Sequence, residues 1–362
     1  MQSEIQLSIT GTGMVCPVGW EATTACAAIR AGLSRPRENH NFLVLGDNAE
    51  GVPINSHPIF GFTDGFINDG LWIRIAEGTF YDLITSNKLP DKSDTAFWKN
   101  TGIILVVPRV GGERHQMPNN IPVEDIKRSF GYRLLNALDY PISHANLYIV
   151  SDDHTGCIKA IILGSALIKK RNVLRIIILA CDSYLDAFTL EWLHKYDRLL
   201  SDRIGLIPGE AGAGFILELE REALRRKARP VAHIGGAFTG TELNNFYSKG
   251  VNMGLSLSNA IKHAYTDSDP FYGELIVDLN GEDWRAAELS GARMRLGERI
   301  SKGCPVIMPA VNIGDTGAAS GAVSVCCALH SFKRNCAPSK NSLVISSTAH
   351  GSVGAVWLIR AG

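Results

Sequence analysis

Two kinds of apolar run alternate along the chain. Short β-branched runs, among them "GIILVVPRV" (102–110), "NLYIV" (146–150), "LRIIILACD" (174–182) and "GELIVDLNG" (273–281), read as strands. Longer stretches with helical spacing fall between them, near 20–31, 123–138, 156–170, 283–301 and 316–332. Strands that are apolar at nearly every position are covered on both faces, as in parallel sheets flanked by helices, so the fold class is α/β. The rhythm breaks between about 38 and 100, where Gly, Asn, Asp and Pro cluster; this segment is expected to be a loop-rich excursion.

Laying the chain over itself exposes a repeat. "DDHTGCIKAIILGSAL" (152–167), a linker and "LRIIILACD" resemble "IGDTGAASGAVSVCCAL" (313–329), a linker and "SLVISSTAH". Each unit is a polar turn ending in Thr-Gly, a helix of small apolar residues, and a strand. A helix that is small and apolar on all faces belongs between layers. Two such units predict an internal duplication with two central buried helices, divided as an N-terminal half (1–235) and a C-terminal half (236–362).

Composition narrows the function classes. The 362 residues are 45% hydrophobic and 20% charged, enough for one large core or two fused ones. Lys+Arg and Asp+Glu balance at 36 each, which recruits neither nucleic acid nor an anionic membrane. The basic run "REALRRKARP" (221–230) is the local exception, and a solvated helix face is preferred to a binding patch there. The opening "MQSEIQLSITGTG" lacks the basic head and apolar centre of a secretion signal, and no apolar segment approaches the ~20 residues that span a bilayer, so a soluble, cytoplasmic protein is expected. Eight cysteines at irregular spacing, without a CxxC pair, read as buried small hydrophobes rather than zinc ligands or a disulfide framework. No cofactor motif emerges: "GTGMVC" (11–16) lacks the third glycine and acidic partner of a dinucleotide site, and neither a GxSxG elbow nor a Walker loop occurs.

Several segments together resemble the β-ketoacyl synthases of the thiolase superfamily. "ITGTGMVCPVG" (9–19) is similar to their opening strand and loop, "DRIGLIPGEAGAGFILELE" (202–220) to their Gly-Glu-Gly-Ala-Gly segment, and "HTGCIKAI" (154–161) to their nucleophile turn and helix. "VNIGDTGAASGAV" (311–323) is similar to the segment with their second catalytic histidine, and "AHGSVGAVWLI" (349–359) to their last glycine-rich loop and strand. The resemblance implies a duplicated five-layered α-β-α-β-α architecture. It also implies a two-fold dimer paired through "LRIIILACD".

At the positions matched to the family's catalytic residues this chain differs. His154 stands where the resemblance puts the acyl-accepting cysteine, Asn280 and Asp315 where it puts the two histidines, and Ala310 where it puts a lysine. A one-residue shift would bring Asp153 to the nucleophile place instead. Condensation needs a thiolate to carry the acyl group and neutral imidazoles to stabilise an enolate. Imidazole holds no stable thioester, and an ionised Asp315 would oppose the enolate. Cys157, one turn into the helix, reads as a packing residue. Asn280, Glu282 and Trp284 follow a core strand at its carboxyl end, where α/β folds place function, although Glu282 is equally a helix-start residue. His154, Asn280 and Asp315, with His350 and with Glu282 near the edge, are expected to converge on one pocket. They either fill it, hold a divalent metal, or form a His-Asp base pair.

These readings yield two expectations. The first is a catalytically degenerate binding or assembly partner, resembling a chain-length-factor subunit or an accessory protein that loads type VI secretion effectors, with no cofactor, no nucleic acid and no membrane. Its partners would be a second copy or a related synthase, an effector protein or an acyl carrier protein. The second is an acyl-transfer or hydrolytic enzyme run by His154 with Asp315, or by Cys157.

Overall fold

The computed structural model describes residues 6–46, 50–119, 121–201 and 204–362. Its strands are β1 Leu7–Val15, β2 Arg37–Leu45, β3 Gly51–Ser56, β4 Thr101–Val107, β5 Leu147–Ser151, β6 Arg175–Ser183, β7 Glu210–Leu219, β8 Ala232–Thr241, β9 Glu274–Val277, β10 Val306–Ile307, β11 Asn341–Ser347 and β12 Ser352–Arg360. Ten of them form one mixed sheet in the order β10-β9-β11-β12-β8-β1-β7-β6-β4-β5, and β2 and β3 make a separate hairpin.

The duplication is visible in the strand order. In the N-terminal half the order β5-β4-β6-β7-β1 has parallel pairs at β5–β4–β6 and antiparallel pairs at β6–β7–β1. In the C-terminal half β10-β9-β11-β12-β8 repeats the same directions strand for strand. The two five-stranded halves of the sheet join where β1 meets β8, at Ser8↔His233 and Ile9↔Ala232, and an isolated bridge, Pro208↔Asp315, links them again beside the central helices.

Between the sheets lie the two central helices, Gly156–Lys169 and Ser320–Arg334, each touching strands of both halves. Their apolar residues join β1, β6, β7 and β12 in one central core. A second core packs Asn68–Ser86 and Tyr132–Leu138 on the outer face of the N-terminal sheet, and a third packs Leu255–Ala264 and Asp283–Leu296 outside the C-terminal sheet. The five layers expected from the sequence are therefore present. The central helices approach closely at Gly321, where a β-carbon would stand 2.8 Å from Cβ of Cys157 and 2.9 Å from the carbonyl oxygen of His154. Only glycine fits there.

Two expectations need correction. The segment 38–100 is no loop-rich excursion throughout. After the hairpin comes the 19-residue helix Asn68–Ser86, whose Leu71, Ile75, Phe80 and Leu83 are core residues. Gly78 within it marks a contact, not a break: a β-carbon there would collide with the Phe62 ring. Secondly, β6, the strand within "LRIIILACD", has β4 and β7 on its two sides and no free edge to offer a second subunit. The unpaired edge of the N-terminal half belongs to β5, which directly precedes the first central helix.

Candidate functional site

The two repeat units turn their heads toward each other. Each presents the residue before its Thr-Gly pair, and Nε2 of His154 lies 2.8 Å from a carboxylate oxygen of Asp315. Both are 2% exposed. The second carboxylate oxygen of Asp315 accepts from the Asn280 amide at 2.6 Å, and the first also accepts from the Gly317 backbone N–H at 2.8 Å. Three positions scattered over 161 residues thus meet at one point. Burial alone would raise the Asp315 carboxyl; His154 and Arg285 outweigh it and hold the group well below the usual carboxylate range.

Arg285 is the residue that sequence reasoning missed. It is 1% exposed and fills the space beside His154, with Nη2 at 3.1 and 3.2 Å from the two ring nitrogens. Arginine only donates and carboxylate only accepts, so the ring stands between a donor on one side and an acceptor on the other. Nη1 of Arg285 donates to the Ser347 carbonyl at 2.6 Å and lies 3.2 Å from Asp278, while Nε faces Glu282 at 3.3 Å. Burial opposes the guanidinium charge, and Asp278, Asp315 and Glu282 more than restore it.

Glu282 belongs to the centre of this network, not to its edge as the sequence suggested. It takes a bidentate pair from Arg198 at 2.6 and 3.0 Å and accepts from Asn280 at 2.8 Å. Burial would raise its carboxyl, but the pair with Arg198 brings it down to about 2. Arg198 is itself buried, with its guanidinium carbon 4.7 Å from the Trp192 ring and 5.1 Å from Phe246. A signal for Arg285 existed in "GEDWRAAE": Glu and Arg three apart at a helix start share a face. Arg198, 84 residues away, carried none.

The remaining candidates lie elsewhere. Cys157 is fully buried against Gly321 in the central core, and burial pushes its thiol far up. Ala310 borders a void of about 10 Å³, room for one water at most. Asp153 and His350 do not join the buried cluster. They line an open cavity of about 320 Å³ with Arg109, Arg114, Trp192 and Tyr247. There Asp153 accepts from the Arg109 backbone N–H at 3.3 Å, and His350 stacks on Tyr247 at 4.9 Å between ring centres. Partial burial lowers the His350 imidazole.

As chemistry, the cluster is closed. Two arginines occupy the volume that substrate or a cation would need. Among the described residues no three His, Cys, Asp or Glu side chains are arranged to hold a metal ion, so the metal alternative finds no ligand set here. The His154–Asp315 pair has the geometry of a general base and its orienting carboxylate, without access to a proton from outside.

No protein-family model and no curated protein sequence matches the chain. Solved structures match it in shape. The ishigamide ketosynthase/chain length factor superposes with a TM-score of 0.72 at 15% identity, over 99% of this chain and 100% of that one. AntDE:AntF, a type II PKS acyl-carrier protein in complex with its ketosynthase, gives 0.77 at 15% identity, over 99% of each chain. A β-ketoacyl synthase from Burkholderia phymatum STM815 gives 0.71 at 16%, over 99% of this chain and 100% of that one. The chain has the thiolase-like ketosynthase fold. At such identities the likeness extends to the fold and no further.

Proposed function

We propose that this chain is a ketosynthase-like scaffold that no longer condenses acyl groups and acts as a binding or assembly partner. One observation carries the reading: the head of the first central helix holds His154, buried and clamped between Asp315 and Arg285. On this reading His154, Asn280 and Asp315 replace the family's Cys-His-His residues. An ionised carboxylate beside the reaction centre disfavours an enolate, and imidazole cannot store the acyl chain. The neighbours named as a ketosynthase/chain length factor and as a complex with an acyl-carrier protein favour a role beside a related synthase or carrier protein. Effector loading for type VI secretion is the other setting for the same inert scaffold. Two-fold pairing, with a second copy or a synthase, would use the free edge of β5.

The competing enzyme reading rests on the 2.8 Å His154–Asp315 contact, and its other nucleophile, Cys157, faces the core. Intact-mass analysis after incubation with acyl thioesters and acylated carrier protein separates the two. No mass increase is expected. An adduct that disappears in Cys157→Ser, or turnover lost in His154→Ala, would overturn the proposal.

A further inference from the structure

At the opposite end of the second central helix lies a groove of about 970 Å³. Fifteen residues of helix, roughly 22 Å, separate it from the His154 cluster. Seven of the chain's 36 Lys and Arg side chains line it and no Asp or Glu does, leaving 29 cations to balance 36 acids elsewhere. The basic run 221–230, read from the sequence as a solvated face, supplies three of them. Arg226 is committed: it binds buried Glu218 through both Nε and Nη2. The other six, Lys88, Lys227, Arg229, Lys333, Lys340 and Arg360, have no carboxylate partner among the described residues; Arg360 reaches only the Asn335 amide, at 2.8 Å.

Helix ends explain part of this. Asn68–Ser86, Glu220–Arg225 and Ser320–Arg334 all finish at the groove, and cations offset the partial negative charge of helix C-termini. That accounts for Lys88, Lys227 and Lys333. Arg229, Lys340 and Arg360 stand on loops and a strand, where no helix end calls for them. The cations come from four separate chain segments and line a groove of about 970 Å³, so they suit several anions more than one phosphate. Phe332, the groove's one aromatic residue, is 3% exposed, so no ring is offered for base stacking.

We infer that this groove docks an acidic, extended segment of a protein partner, with several carboxylates facing the six unpaired cations. The inference goes beyond the non-catalytic reading and stands whether or not the His154 cluster is inert, because its test involves no acyl chemistry.

The test uses the full chain and a fluorescein-labelled decaglutamate peptide, followed by anisotropy at low and moderate salt. Saturable, salt-sensitive binding is expected. Reversing four groove cations together, Lys88→Glu, Arg229→Glu, Lys333→Glu and Lys340→Glu, should weaken it about tenfold or more. A control with the same change in net charge, Lys169→Glu, Lys170→Glu, Lys262→Glu and Lys302→Glu, should stay within about twofold. The four groove positions changed to Gln, checked for an unaltered melt, guard against misfolding and should also weaken binding. Equal loss in the groove and control variants, no saturation, or tighter binding of a dT10 oligonucleotide or of inorganic tripolyphosphate than of the peptide would each overturn the inference.

Discussion

Around the heads of the two central helices Arg198, Arg285, Asp278, Glu282 and Asp315 are buried and partnered; at the tail of the second, six cations line an open groove without an Asp or Glu partner among the described residues. Both regions are polar, and their energetics are opposite. A buried ion gives up its hydration and has to recover it from neighbours, which is why Arg198, Arg285, Asp278, Glu282 and Asp315 interlock. An exposed ion keeps its water and is free to exchange it for a ligand. Closed networks hold a fold in one arrangement, and open ones are available for recognition.

Truncating the buried arginine is the sharpest way to break this comparison. Arg285→Met leaves Asp278, Glu282 and Asp315 facing each other in the interior, and a loss of about 3–5 kcal/mol in urea denaturation is expected. A loss under about 1 kcal/mol would mean that water reaches the cluster, and the two regions would no longer be distinct in kind.

Acid should separate them next. Glu282 is held at about 2, below the ordinary ~4.3, so its contribution is complete at neutral pH and fades as the pH falls from about 4.5 toward 2. By linkage that contribution is roughly 3 kcal/mol. Asp315, also lowered, acts in the same direction. Asp278, raised by burial, acts in the other and subtracts from the slope. Glu282→Gln should flatten stability against pH below 4.5, measured by denaturation at several pH values, while groove variants leave that slope alone. A smaller loss tests the packing beneath the cluster. Gly321→Ala pushes a methyl group against Cys157 and the turn of His154, and about 1–3 kcal/mol of destabilisation is expected.

What the sequence disclosed follows from how local each signal is. Apolar runs and the Thr-Gly repeat are local patterns, and they foretold the α/β class and two central buried helices; the expectation that His154, Asn280 and Asp315 would meet came only from the resemblance to the β-ketoacyl synthases. Cross-chain pairing is not local. Nothing near Arg198 announced its bond to Glu282, and Glu282 looked like a helix-start residue because that role requires only its neighbours. Strand position also escaped: β6 and β5 are both apolar runs, and only the assembled order shows which one keeps a free edge. The helix Asn68–Ser86 was hidden because a glycine that permits close packing, Gly78, looks in sequence like one that breaks a helix.

The smallest expected effect closes the comparison from the open side. Arg229→Glu or Lys340→Glu, taken singly, removes no buried partner and creates no cavity, so stability should move by less than about 0.5 kcal/mol. The shift should be toward greater stability, because each reversal relieves repulsion among the remaining groove cations, and it should shrink as salt is added. Thermal melts at low and high ionic strength measure it. A single reversal that instead cost several kcal/mol at both salt concentrations would place that cation in a structural network like that of Arg285, and the groove would be a second closed site, not a surface awaiting a partner.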